Sequence, residues 1–236
     1  LILKIREIGS IMGRLDHSPT LPEIRELPHD LVDRVSCSDT EVIGDGDVSV
    51  AVMDYGAKEN IIRSMAARGC RVIRFPHGTK AEEVLSSGVS GIILSNGPGD
   101  PSVLDSETEE IRKLLGKRPL LGICLGNQLL ARACGAKTQK MKYGHRGANQ
   151  PVVDVSTGRG ILTSQNHQYV VTEESLCGTG LEVAFRHLGD GTVEGLINRE
   201  SDAFSVQFHP EASPGPEDAS YIFDDFVAHI RESGDR

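Results

Sequence analysis

Between residues 48 and 135, short apolar runs alternate with stretches of helical spacing, and this alternation limits the possible folds more than any other feature of the chain. Val48–Met53, Arg71–Phe75, Gly91–Leu94 and the run leading into Cys124 have the length and β-branched content of strands buried on both faces. Between them lie three helical patterns: Ala57–Ala67 closed by Gly69, Lys80–Ser86, and Val103–Leu115 closed by Gly116. Strands and helices alternating at this spacing predict an α/β fold, a doubly wound, mainly parallel sheet with helices on both faces. After Gly135 the pattern turns β-rich, with strands expected at Gln150–Val155, Gly160–Ser164, Glu182–Arg186, Gly191–Asn198 and Ala203–Phe208. A final helix is expected over Pro216–Arg231, with Pro at its first position and acids in its first turn.

The stretch before Asp47 is different. Residues 1–14 read as a short amphipathic helix stopped at Gly9, followed by a strand-like piece. Residues 15–47 are rich in Asp, Ser, Pro and Gly and read as a linker with one short helix near Leu21–Leu27. So polar a stretch makes no core alone and must lean on something else. The chain opens on Leu within a helical pattern, from which residues upstream are expected.

Within the β/α pattern, Pro119-Leu-Leu-Gly-Ile-Cys-Leu-Gly-Asn-Gln-Leu-Leu130 carries the first candidate chemistry. Gly122 and Gly126 flank Cys124, so the backbone can turn sharply from strand to helix and pack closely, as in a nucleophile elbow. The thiol then sits at a helix N-terminus, where the dipole and free N–H groups favour a thiolate. The N–H of Leu125 points to where an oxyanion would form. Five cysteines (37, 70, 124, 134 and 177) without a C-x-x-C pair fit reduced thiols in a cytosol.

Ligands of a parallel sheet bind beyond the carboxyl ends of its strands. Two more segments fall there. Ser95-Asn-Gly-Pro-Gly-Asp-Pro101 follows the strand ending at Leu94, and its bare glycines let backbone N–H groups approach a substrate, Gly99 N–H serving as a second oxyanion donor. Phe208-His-Pro-Glu211 offers a base, His209, and a carboxylate, Glu211, to hold its tautomer. Sulfur, imidazole and bare amides are therefore expected to converge on one cavity. His145 and His167 could join His209 around a metal. Their spacing matches no ligand signature and no carboxylate stands near them in the sequence, so no metal is expected. Asn166 and Gln128 suit an amino acid's polar ends. The net charge of −9 argues against a nucleic-acid or membrane surface, and no apolar run approaches the ~18–20 residues of a transmembrane helix.

Pro119–Leu130 with His209 and Glu211 resembles the class I (triad) glutamine amidotransferases. Met53-Asp-Tyr-Gly-Ala-Lys-Glu-Asn60, Lys140–Asn149, Thr163–His167 and His209–Pro216 resemble one branch of them, the carbamoyl-phosphate synthetase small subunits, over roughly residues 48–232. The resemblance implies that residues 1–47 are the end of an N-terminal domain plus a linker and that 48–236 form the amidotransferase domain. It implies a Cys124–His209–Glu211 triad, with glutamine held by Gly97, Gly99, Leu125, Gln128, Asn166, Gln168 and Tyr169. At position 168 many relatives have Gly and this chain has Gln. A serine that the family takes from its N-terminal domain to hold glutamine has no counterpart here. The implied partner is a large synthetase subunit that receives ammonia and carries ATP and Mg, with no cofactor in this chain and a cytoplasmic location. Two other readings use the same residues: a stand-alone thiol hydrolase of γ-glutamyl substrates, and a non-catalytic docking domain.

Overall fold

The computed structural model describes Glu7 and residues 29–234. Glu7 apart, the helix and strand-like piece expected within 1–14 and the helix expected near Leu21–Leu27 lie outside the described residues. In chain order the elements are β1 (Glu41–Ile43), β2 (Val48–Asp54), α1 (Glu59–Ala67), β3 (Cys70–Pro76), α2 (Ala81–Ser86), β4 (Gly91–Leu94), α3 (Asp105–Leu114), β5 (Leu120–Ile123) and α4 (Leu125–Ala133). There follow β6 (Thr138–Asp154), β7 (Gly160–Val171), β8 (Glu182–His187), β9 (Val193–Asn198), β10 (Ala203–Val206) and α5 (Tyr221–Gly234).

The strands form one sheet in the order β1-β3-β2-β4-β5-β10-β9-β8-β6-β7. Its centre, from β3 through β10, is parallel, and antiparallel strands extend it on both sides. Side chains of β2 divide cleanly between the two faces. Val48, Val50 and Val52 join the core under α1 and α5, whereas Ala51 and Met53 join the core under α2, α3 and α4. Alternation on a strand covered on both faces produces this division. The stretch read as a linker does lean on the sheet: Val32 is buried and Glu41–Ile43 pairs antiparallel with β3.

Three boundaries differ from the sequence reading by five residues or more. The strand expected at Gln150–Val155 runs from Thr138 to Asp154, and its partner continues to Val171. The polar residues 138–147 lack alternation, and their pairing rests on a backbone ladder broken by register shifts after Lys140 and Gly147. The last helix starts at Tyr221, not Pro216. Before it, Ser220 N–H donates to the Glu217 carbonyl (2.9 Å) and Ile222 N–H to that of Ala219 (3.1 Å), closing turns that seat Ala219 in the core.

Candidate active site

Cys124 sits between β5 and α4 with φ 54° and ψ −100°, a conformation that L-residues adopt only under constraint. The flanking glycines supply that constraint. A Cβ on Gly126 would lie 2.1 Å from the Leu94 carbonyl oxygen, and one on Gly122 would lie 2.7 Å from the Gly126 carbonyl oxygen. Gly126 N–H donates to the Ser95 carbonyl (3.1 Å), and Cys124 N–H to that of Val206 (2.8 Å). The elbow is thus clamped between the ends of β4 and β10. Below it runs a buried polar row. Ser205 Oγ donates to Asn127 Oδ1 (2.8 Å), Asn127 Nδ2 to Gln207 Oε1 (3.1 Å), and Gln128 Nε2 to both Gln207 Oε1 (3.1 Å) and the Tyr169 carbonyl (2.9 Å).

His209 reaches the elbow from the segment after β10. Its Nδ1–H donates to Glu211 Oε1 at 2.7 Å, which leaves Nε2 for the neighbouring sulfur of Cys124. Burial pushes this imidazole down, but the neighbouring sulfur of Cys124 and the Glu211 carboxylate outweigh it and raise it to about 9. Burial works on Glu211 in the opposite sense, raising it. The hydrogen bond and charge of His209, with the Lys58 ammonium, overcome that and hold the carboxyl below its usual range.

Lys58 is the site residue that sequence reasoning overlooked. Its Nζ lies 3.1 Å from Glu211 Oε1 and donates to the Ala212 carbonyl (3.2 Å), while Asn60 Nδ2 donates to the Glu211 carbonyl. Asn96 ties this loop to the one after β4, accepting from Lys58 N–H (2.9 Å) and donating to the Gly56 carbonyl (3.1 Å). The available signal was position alone, since Lys58 and Asn60 follow a strand end on the active rim.

One cavity of about 590 Å³ is lined by Cys124, His209, Gly97, Asn166, Gln165 and Lys58, among others. Of the residues expected to hold glutamine, Gly97 and Asn166 line it. Gly99, with φ 99°, faces Leu31. Leu125 opens α4, where a first-turn N–H has no acceptor within the helix. Gln128 is buried in the polar row. Tyr169 hydrogen-bonds Asp100, and burial together with that carboxylate pushes its phenol up to about 12. Gln168 braces β6: its Nε2 donates to the Met141 carbonyl (2.6 Å) and its Oε1 accepts from Arg146 (2.7 Å).

The absence of carboxylates near His145 and His167 is overturned. The pairing of β6 with β8 and of β8 with β9 brings Glu194 and Asp190, more than forty residues away in sequence, into contact with His145. Spacing along the chain could not reveal that pairing.

The Glutamine amidotransferase class-I family pattern matches residues 51–229. The carbamoyl phosphate synthase small chain of Bacillus caldolyticus is 50% identical over 235 residues, 97% of this chain and 65% of that protein. The pyrimidine-specific small chain of Halalkalibacterium halodurans is 48% identical over 230 residues, 94% of this chain and 64% of that protein. The chain thus spans a little under two thirds of these relatives. Among solved structures, a Thermoplasma acidophilum protein described as part of a GMP synthase superposes with a TM-score of 0.68 at 21% identity, over 80% of this chain and 98% of its own, a likeness of fold.

Proposed function

The chain belongs to the class I glutamine amidotransferase family, and from that premise we propose that it is the glutaminase part of a glutamine-hydrolysing carbamoyl-phosphate synthetase. One observation carries the reading: a cysteine at a helix N-terminus and a histidine that is itself held by a buried carboxylate line one cavity.

In this reading His209 Nε2 takes the thiol proton of Cys124 as Sγ attacks the side-chain carboxamide carbon of glutamine. The N–H of Leu125 and the amide of Gly99 or Gly97 receive the charge that develops on oxygen, each such donor being worth about 10²–10³ in rate. His209 passes its Nε2 proton to the departing nitrogen, so ammonia leaves and a γ-glutamyl thioester remains. It then takes a proton from water, whose oxygen attacks the thioester, and glutamate is released as the thiol is restored. Glu211 keeps Nδ1–H engaged throughout, and Lys58 favours the ionised state of Glu211. Asn166, Gln128, Gln168 and Tyr169 complete the glutamine site, the last three by shaping its wall. Ammonia passes to a large synthetase subunit in the cytoplasm, where ATP and Mg on that partner drive formation of carbamoyl phosphate for pyrimidine or arginine synthesis.

The test compares glutamine-dependent with ammonia-dependent carbamoyl phosphate formation by the two-subunit complex. Cys124→Ala is expected to abolish the first and spare the second. Persistence of glutamine use would rule out the nucleophile, and ammonia release that is indifferent to the partner would point to a stand-alone hydrolase.

A further inference from the structure

Behind the cavity wall, four buried side chains gather nitrogen and oxygen atoms around one point. His145 Nε2 lies 2.9 Å from Asp190 Oδ2 and His167 Nδ1 lies 2.8 Å from the Tyr169 carbonyl oxygen. Each ring therefore donates outward, leaving His145 Nδ1 and His167 Nε2 facing inward. Glu194 Oε2 accepts from Gln165 Nε2 (2.8 Å), which leaves Oε1 free to face the two rings, 3.1 Å from His145 Nδ1 and 3.7 Å from His167 Nε2. Because Gln165 Nε2 also donates to Thr163 Oγ1 (3.1 Å), the Gln165 carbonyl oxygen is the atom that lies 3.0 Å from His167 Nε2. Acceptors this close repel one another unless a proton, as His145 supplies to Glu194 in the metal-free protein, or a metal cation lies between them. All four residues are at most 8% exposed.

We propose that His145 Nδ1, His167 Nε2 and Glu194 Oε1, with Gln165 Oε1 as fourth ligand, form a site for one divalent ion of the zinc class. Ligand atoms around tetrahedral zinc stand roughly 3.3 Å apart at bond lengths of about 2.0–2.1 Å. The three principal atoms, all within 4.8 Å of one another, need only a small contraction to reach that spacing. Two imidazoles with carboxylate and amide oxygens suit a borderline ion. The surroundings support the same assignment. Metal-bound histidines normally give their other N–H to a carboxylate or backbone carbonyl, as Asp190 and Tyr169 receive it here. A neighbouring set, His145, His187 and Asp190, is less suited. The His145 and His187 rings stack nearly parallel at 4.1 Å, and His187 Nδ1 already accepts from Gly189 N–H. An ion at the favoured site would clamp β6, β7 and β9 together and fix Gln165, which also lines the catalytic cavity. The site stands whether or not the glutaminase reading holds.

The experiment strips the full-length protein with a chelator, dialyses it against zinc chloride, and measures bound metal, melting temperature and zinc X-ray absorption. Wild type and Cys124→Ala should each hold one zinc per chain, melt several degrees higher than the stripped protein, and show only nitrogen and oxygen neighbours near 2.0–2.1 Å. Glu194→Gln and His167→Gln should lose the zinc. Failure of the wild type to hold stoichiometric zinc would overturn the site. So would a sulfur neighbour near 2.3 Å with zinc lost in Cys124→Ala, which would put the ion on the catalytic thiol. Full retention by folded Glu194→Gln and His167→Gln would overturn it equally. If neither variant folds, the wild-type absorption spectrum still decides.

Discussion

Two buried histidine–carboxylate pairs stand near one cavity, and they differ in what lies behind the carboxylate. At the elbow, Glu211 has the Lys58 ammonium at 3.1 Å, and its carboxyl is held below the usual range. In the cluster, Glu194 is fully buried, and the next charge beyond His145 is the like charge of Asp190. Burial comes first among its influences and pushes Glu194 up to about 7. Both histidines, His209 and His145, are nonetheless raised to about 9 against the effect of burial. The same pairing thus yields two devices. With a lysine behind it, the carboxylate is a fixed charge suited to holding a base; without one, it is a site short of positive charge.

The largest expected difference between the regions is in turnover. Cys124→Ala should lower glutamine hydrolysis by roughly 10⁴–10⁶-fold, assayed as ammonia release, with the fold intact by circular dichroism. His145→Ala should act chiefly on stability, costing roughly 3–5 kcal/mol because it strands Glu194 without its partner, and lowering Tm by roughly 10 °C. Were His145→Ala to leave Tm unchanged, the cluster would be no more than loop chemistry. Lys58→Met should lower kcat on the order of tenfold with KM for glutamine little changed, and Lys58→Arg should recover part of the loss. A fall confined to KM would assign Lys58 to substrate binding instead.

The smallest effect is on titration. In wild-type, metal-free protein, NMR should find His209 and His145 titrating near 9; Cys124→Ala should lower only His209, since sulfur is among the causes that raise it. Linkage gives the matching stability profile. His209, raised from 6.5, stabilises fully below about pH 6.5 and loses that contribution as pH climbs through 9. Glu211, lowered from 4.5, stabilises above that value and loses its contribution as pH falls through its depressed range. Urea unfolding across pH should show this plateau, with its alkaline limb shortened in Cys124→Ala.

What could be read from the sequence follows the same division. Gly122, Gly126 and Cys124 are neighbours in the chain, as are His209 and Glu211, so their geometry is encoded within a few residues of each group. The β/α alternation was readable for the same reason. Glu194 meets His145 only through the pairing of β6 with β8 and β8 with β9, and a register set by irregular ladders leaves no mark at fixed spacing. Lys58 escaped notice differently. Its neighbourhood was singled out, but a lysine at a helix start usually belongs to solvent, and only the fold carries it to Glu211.

The backbone at Cys124 carries one more consequence. Its φ of 54° with ψ −100° is a conformation that glycine adopts at little cost and that costs other residues about 1–3 kcal/mol. Replacement by glycine should therefore give an inert protein that outlasts the active one on heating. Reactivity at this position would then be maintained against a standing pull toward a sturdier, silent chain.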